Sequence, residues 1–363
     1  MNKKSVYEEG VKITKFGDKI SKELTVFYNP DMKINRDMTL LFIKSYFDKP
    51  IKYCDPMAAS GIREIRFLKT IPDKFSKIVC GDISEISIND MKNNLKENEI
   101  NTEKLEIYNQ DAINTINSDY FDVIEIDPFG SPIPFLDIAC QKIKHNGVLI
   151  ITATDTAALC GTYPKTTLRK YGIKINKPLW HYELGLRNLI AYSQRQASKY
   201  EKVLIPVITF SNNHFYKIFL KVEQSRTKAF NTIKNLKWVE WDKKTQDITI
   251  NEHETKNSIG KTYVDTINNE QVIQEMIDNL DLIEDSKEIL KLLNKLKDEL
   301  NTLGFYNTHK LQKEFKIDSK IKFKELFDEL ENNNFKYSRV HNDKYGIKTH
   351  AKSSDIIKII RKY

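Results

Sequence analysis

From residue 51 the chain alternates short apolar runs with amphipathic stretches. Ile51–Cys54, Lys77–Asp82, Glu106–Asn109, Phe121–Ile126 and Gly147–Thr152 are short, apolar and bounded by polar or turn residues, so each reads as a strand. Between them, Ile62–Leu68 and Ser84–Asn98 read as helices, the second with Ile88, Met91 and Leu95 at spacings of three and four. Strands alternating with helices predict a parallel α/β sheet with right-handed crossovers. Val203–Phe210 and Phe215–Val222 flank the turn Ser211-Asn212-Asn213-His214 and predict an antiparallel terminal hairpin.

Past residue 223 the texture changes. Leu236–Trp241 and Asp247–Ile250 predict a second hairpin, and helices are expected over about 270–280 and 284–303. Two shorter helices near Thr308–Phe315 and Phe323–Asn332 precede strands at Phe335–His341 and Tyr345–Thr349 and a last helix at Ser354–Arg361, an order that resembles a winged helix. The expected organisation is two domains, 1–222 and 223–363, which suits a chain of 363 residues.

Charge sharpens this division. The net charge of +8 is the remainder of larger opposing blocks: residues 81–140 hold 3 basic and 13 acidic side chains, and residues 141–222 hold 13 basic and 3 acidic. A concentrated basic block suits a polyanion partner better than a uniform excess would, although local imbalance also arises in any lysine-rich chain. No apolar run approaches membrane-spanning length, and Met1–Gly10 lacks the apolar stretch of a signal peptide. Cys54, Cys80, Cys140 and Cys160 include no CxxC pair, which argues against a zinc ribbon or a disulfide framework. A soluble, cytoplasmic, reduced protein with no metal is expected, and a monomer is assumed.

In an open α/β sheet, ligands bind beyond the carboxyl ends of the strands, and four such ends carry suggestive residues here. Asp55-Pro56-Met57-Ala58-Ala59-Ser60-Gly61-Ile62-Arg63 is a small-residue turn into a helix, equally readable as a tight connection. Asp82 can accept from both hydroxyls of a bound ribose, or Ser84 and Glu85 beside it can mark a plain helix start. Asp111 can accept from an adenine amine with the Ala112 N–H facing the ring, although alone it reads as a solvated acid. Asp127-Pro128-Phe129-Gly130-Ser131-Pro132 is the most specific string. The exocyclic amine of a base is a poor nucleophile because its lone pair is delocalised into the ring. A carboxylate that accepts its N–H turns the lone pair outward and can take the proton, while Phe129 stacks on the base. Amino-methyltransferases place a similar string here, and a mostly parallel sheet with an antiparallel terminal hairpin resembles their class I Rossmann-like fold. Upstream, Phe27–Asp37 reads as a surface loop from which Arg36 could pair the carboxylate of a methyl donor and Phe27 could cover the target base.

Taken in order, Asn29-Pro30-Asp31-Met32 with Asn35-Arg36-Asp37, then residues 55–63, Glu125–Pro132, Thr152–Gly161, Tyr163-Pro164 and His181–Arg187 closely resemble the tRNA (guanine-N2-) dimethyltransferase family. The resemblance spans about residues 5–355. It implies transfer of one or two methyl groups from S-adenosylmethionine to N2 of guanine 26 in tRNA. By resemblance, Arg36 and Arg66 bind the donor, Asp82 its ribose, and Asp111 and Ala112 its adenine. Asp127 is then the catalytic acceptor, with Phe129 and Phe27 lining the guanine pocket. Some members carry a four-cysteine metal site in the second domain; no cysteine lies beyond 160 here, so no zinc is expected, with the hairpin of Trp238 and Trp241 held by apolar packing instead. The basic block is expected to face RNA through Lys165 and Arg169 in a loop and Arg187 and Arg195 on a helix, with the C-terminal domain reading tRNA shape. The rival readings are an amino-methyltransferase acting on another RNA, a DNA base or a protein amide, and a non-catalytic tRNA-binding factor.

Overall fold

The computed structural model describes residues 3–16, 28–212 and 214–363. In chain order the elements begin with β1 (Lys3–Glu8), β2 (Val11–Phe16), α1 (Lys33–Tyr46), β3 (Ile51–Asp55), α2 (Ile62–Thr70), β4 (Phe75–Asp82), α3 (Glu85–Glu97) and β5 (Leu105–Asn109). They continue with α4 (Ala112–Asn117), β6 (Phe121–Ile126), α5 (Ile133–Lys142), β7 (Ile143–Ala153), α6 (Thr156–Leu159), α7 (Pro164–Tyr171), α8 (His181–Ser198), β8 (Lys202–Asn212) and β9 (Phe215–Gln224). The remainder is α9 (Arg226–Lys234), β10 (Lys237–Trp241), β11 (Ile248–Asn251), β12 (Ile259–Thr262), α10 (Glu270–Asp278), α11 (Lys287–Asp298), β13 (Tyr306–Asn307), α12 (Thr308–Glu314), α13 (Phe323–Asn332), β14 (Tyr337–Arg339), β15 (Gly346–Thr349) and α14 (Ser353–Ile360).

The main sheet has seven strands in the order β5-β4-β3-β6-β7-β9-β8. The pairs β5/β4, β4/β3, β3/β6 and β6/β7 are parallel, and consecutive parallel strands are linked through a helix. Too few residues separate β8 from β9 for a parallel crossover, so these neighbours form the expected antiparallel hairpin. Ile78, Val79, Cys80, Val123, Ile124, Ile126 and Val148–Ile151 are buried, as strands covered on both faces must be. Register then decides where the acids go. Cys54 pairs with Val79 on one side and Ile124 on the other, so Asp55, Asp82 and Asp127 emerge at one edge of the sheet.

By internal packing the chain forms two compact units. The first comprises Met1–Thr152, Phe219–Gln224 and Gln271–Leu293; the second comprises Ala153–Ile218, Ser225–Glu270 and Asn294–Tyr363. This differs from a single cut between residues 222 and 223. Residues 271–293 return to the first unit, where the Ser45 hydroxyl donates to the Glu275 carbonyl at 3.0 Å and the Glu284 N–H donates to Glu9 at 2.6 Å. Hydropathy reports local elements; which distant segments pack together is not encoded in a change of texture.

Four local expectations also change. Lys33–Asp37 opens a largely buried helix rather than a surface loop, because its Arg36 and Asp37 find ionic partners inside. Lys165 and Arg169 lie on the helix α7, not in a loop. The stretch 284–303 holds a shorter helix, α11. In the second unit, the hairpin β10–β11 gains β12 on its other edge, and Val239, Trp180 and Ile259 form its core with Trp241 packed against them. A further three-stranded sheet, β13-β15-β14, packs with α12, α13 and α14 around Leu311, Leu326, Leu330, Ile347 and Ile356.

Candidate active site

Between β3 and α2 the chain turns on Gly61, whose φ is +73°. A Cβ there would stand 2.5 Å from Cγ of Met91, so both conformation and space require glycine. The turn is tied to β4: the Ala58 N–H donates to the Gly81 carbonyl at 2.9 Å and the Ala59 N–H to Asp82 at 3.1 Å. Asp82 also accepts from the Ser84 N–H at 2.8 Å. Burial pushes the Asp82 carboxyl up, against these two N–H groups, which favour its charged form. A carboxylate offers about four acceptor positions, so two remain beyond the backbone bonds. Asp111 is exposed and caps α4, accepting from the Ile113 N–H at 2.8 Å, while Ala112 is buried behind it. Ile83 and Ile113, 75% and 43% exposed, leave apolar surface beside Asp82 and Asp111. Exposed isoleucines next to hydrogen-bonding acids at strand ends suit the flat face and polar edge of a nucleoside. Neither isoleucine was among the expected site residues, although Ile83, directly after the strand-end Asp82, is a visible signal.

At the end of β6, Asp127 is held by Arg63, whose Nη2 donates to Asp127 Oδ2 at 2.7 Å. The same guanidinium donates through Nη1 to Asp55 Oδ2 at 2.6 Å and lies 3.2 Å from Glu125 Oε1. Its Nη2 also reaches Asn35 Oδ1 at 3.2 Å. Glu125 accepts from Tyr53 at 2.7 Å and Thr39 at 3.0 Å. Burial and the neighbouring Glu125 charge push the Tyr53 phenol well up, so it stays a donor. Burial likewise raises Asp55, with Arg63 opposing it. Of this cluster Asp127 is the member open to solvent, with a side chain 16% exposed, and Phe129 beyond it is 52% exposed. In the sequence Arg63 stands only as the last residue of the small-residue turn; its link to Asp127 depends on the register between β3 and β6.

Arg36 and Arg66 converge on one carboxylate. Arg36 Nε donates to Glu8 Oε1 at 2.8 Å and its Nη2 bonds Glu8 Oε2, while Arg66 Nη1 donates to Glu8 Oε1 at 2.8 Å and Nη2 to Asp37 at 2.6 Å. Tyr28 adds a hydrogen bond to Glu8 at 3.0 Å. Burial raises Glu8, but Arg36 and Arg66 outweigh it and hold the carboxyl below its usual range. Both arginines are buried and their donors are taken up by Glu8 and Asp37, so any other carboxylate must displace one of these acids. Phe27 lies outside the described residues.

With this edge and the surface carboxylate followed by proline and phenylalanine in place, the chain can be compared with known proteins. The sequence model described as "TRM: N2,N2-dimethylguanosine tRNA methyltransferase" matches residues 4–361. The chain belongs to this family. A tRNA (guanine(26)-N(2))-dimethyltransferase of Methanococcus maripaludis is 34% identical over 362 residues, covering 95% of this chain and 94% of the relative. That of Pyrococcus furiosus is 35% identical over 359 residues, covering 93% of each. The structure of Trm1 from Pyrococcus horikoshii with S-adenosyl-L-methionine superposes with a TM-score of 0.90 at 29% identity, over 98% of this chain and 99% of that one.

For a member of the dimethyltransferase family, the expected RNA-facing residues divide. Lys165 and Arg169 are exposed on α7, with Tyr163 and Leu168 also exposed beside them. Arg187 requires correction. It is 0% exposed, pairs with Glu183 at 2.7 Å and donates to the Asp265 carbonyl at 2.8 Å, so it cannot reach a phosphate. The i,i+4 spacing of Glu183 and Arg187 on one helix was the available signal. Arg195 is half-buried and donates to the carbonyls of Tyr171 at 3.0 Å and Lys261 at 3.4 Å, so its donors are directed largely at backbone. Among the described residues, no group of three or more His, Cys, Asp or Glu side chains is arranged to hold a metal ion.

Proposed function

We propose that this chain transfers one, then a second, methyl group from S-adenosylmethionine to N2 of guanine 26 in tRNA. The observation that carries the reading is Asp127, anchored through Oδ2 and followed by Pro128 and an exposed Phe129, at the same sheet edge as Asp82. S-adenosylmethionine supplies an electrophilic methyl carbon, and its sulfur leaves with the S–C electron pair as a neutral thioether. Asp82 receives the ribose hydroxyls, Ile83 and Ile113 flank the adenine, and Asp111 with Ala112 meets its polar edge. Arg36 and Arg66 take the donor's carboxylate in exchange for Glu8, the acid that engages both of them. Asp127 Oδ1 accepts an N–H of the guanine amine, turns the nitrogen lone pair toward the methyl, and takes the proton once the N–C bond has formed. Phe129 stacks on the guanine, which must leave its helical stack to be reached. After one transfer the amine keeps an N–H, so the same acceptor serves a second.

Lys165 and Arg169 contact tRNA phosphates, and the C-terminal segment from 223 contributes to reading tRNA shape. The proposed working unit is a single chain acting on tRNA in the cytoplasm. No helix among the described residues is long and apolar enough to cross a membrane. The test is transfer of labelled methyl to tRNA transcripts with and without guanine at position 26, followed by nucleoside analysis. Labelling of N2 only in the transcript that has guanine 26 is expected; equal labelling of both would sink the site assignment. Asp127→Asn should lower transfer by about 10²- to 10⁴-fold with donor affinity retained.

A further inference from the structure

A carboxylate used as an acceptor need not be gripped from behind, yet Asp127 is. Arg63 Nη2 takes Asp127 Oδ2 at 2.7 Å, while no hydrogen bond among the described residues engages Oδ1. Arg63 is itself fixed in three directions, by Asp55 at 2.6 Å, by Glu125 at 3.2 Å and by Asn35 at 3.2 Å. Glu125 is immobilised in turn by Tyr53 and Thr39. We propose that Arg63 is a positioning residue for methyl transfer: by tying one oxygen of Asp127 to this buried frame, it presents the other as a single, fixed acceptor to the guanine amine.

This rests on Asp127 being the acceptor. The consequence differs between the two transfers. Unmodified guanine offers two N–H bonds, so a loosely held carboxylate still finds one. Monomethylated guanine offers one, and its methyl must lie away from the acceptor. A carboxylate able to swing would therefore lose more in the second transfer than in the first. Lysine cannot replace arginine here, because a single ammonium on a flexible stem cannot hold three carboxylates in the planes that a guanidinium fork sets. A displacement of about 1 Å at a reacting group can cost on the order of 100-fold.

The experiment compares Arg63→Lys and Arg63→Met with the unsubstituted protein in single-turnover transfer to tRNA. Donor affinity by calorimetry and thermal unfolding are measured alongside. Arg63→Lys is expected to keep donor affinity within about threefold, to slow the first transfer by roughly 10- to 100-fold, and to raise the ratio of mono- to dimethylguanosine. Arg63→Met should be slower than Arg63→Lys; if it does not fold, the lysine variant decides alone. A first-transfer rate within threefold of the unsubstituted protein, an unchanged product ratio, or a rate loss matched by an equal loss of donor affinity would each overturn the proposal. Asp127→Asn in the same assay separates the two readings. If it transfers at an undiminished rate, Asp127 is not the acceptor; if it is inactive while Arg63→Lys behaves normally, only the role of Arg63 fails.

Discussion

Arg63 in the first unit and Arg187 in the second are both buried and both grip a carboxylate closely, at 2.6 Å to Asp55 and 2.7 Å to Glu183. Around Arg187 the network closes on itself. Glu183 also meets Lys348 at 3.1 Å, Lys348 meets Glu299 at 3.2 Å, and Glu299 meets His341 at 2.8 Å, all of them buried. Around Arg63 the network ends at Asp127, which reaches solvent with one oxygen unengaged among the described residues. An ion pair in a protein interior is therefore no guide to function on its own. A site is distinguished by an acceptor that the interior orients but does not use up.

The largest effect that sharpens this contrast is on stability. Lys348→Met leaves Glu183 and Glu299 without their shared cation, and removing one partner of a buried pair costs about 3–5 kcal/mol. Urea unfolding should show this loss, while methyl transfer at a temperature where the variant is folded stays near normal. A loss of transfer with stability intact would place the second network in the catalytic machinery after all.

The pH dependence of the two clusters should have opposite signs. Burial pushes Glu299 up, but Lys348 and His341 outweigh it and bring its carboxyl to about 2, from an ordinary 4.5. Its contribution to stability is present above pH 4.5 and is lost as pH falls toward 2. Beside Asp55, burial and the Asp55 charge push the Glu64 carboxyl well up. The folded state then holds a proton that the unfolded state releases, so this group costs stability as pH rises from about 4.5. Glu64→Gln should remove that cost and gain on the order of 1 kcal/mol at pH 8 relative to pH 5. Glu299→Gln should instead lose stability at both. Equal pH slopes in Glu64→Gln and the unsubstituted protein would show that Glu64 does not titrate as its burial requires.

The smallest effects belong to the exposed basic residues. Lys165→Ala and Arg169→Ala should each weaken tRNA binding a few-fold and lower the salt dependence by about one unit of slope. Binding isotherms across a salt series measure both. An unchanged slope would remove α7 from the RNA face, as burial has already removed Arg187.

Much of the fold was legible because it is local. The apolar runs ending at Asp55, Asp82 and Asp127 marked three parallel strands and, in Asp82 and Asp127, two candidate residues, and Asp-Pro-Phe at 127–129 carried its chemistry in its residue types. The N-terminal helix was misread because Arg36 and Asp37 are polar by composition but interior by pairing. The compact units join segments far apart in the chain, which a change of texture near residue 222 does not report.

The sequence by itself determined which side chains follow each strand, and hence that acids and a phenylalanine stand where a ligand could meet them. Only the tertiary structure decided which charges are consumed internally. Glu183 and Arg187 can be paired from their spacing on one helix, but their burial against Lys348 cannot. Arg63 and Asp127 lie 64 positions apart, and nothing local connects them. Their contact follows from the pairing of β3 with β6, which brings both strand ends to one edge and turns a carboxylate into an oriented acceptor.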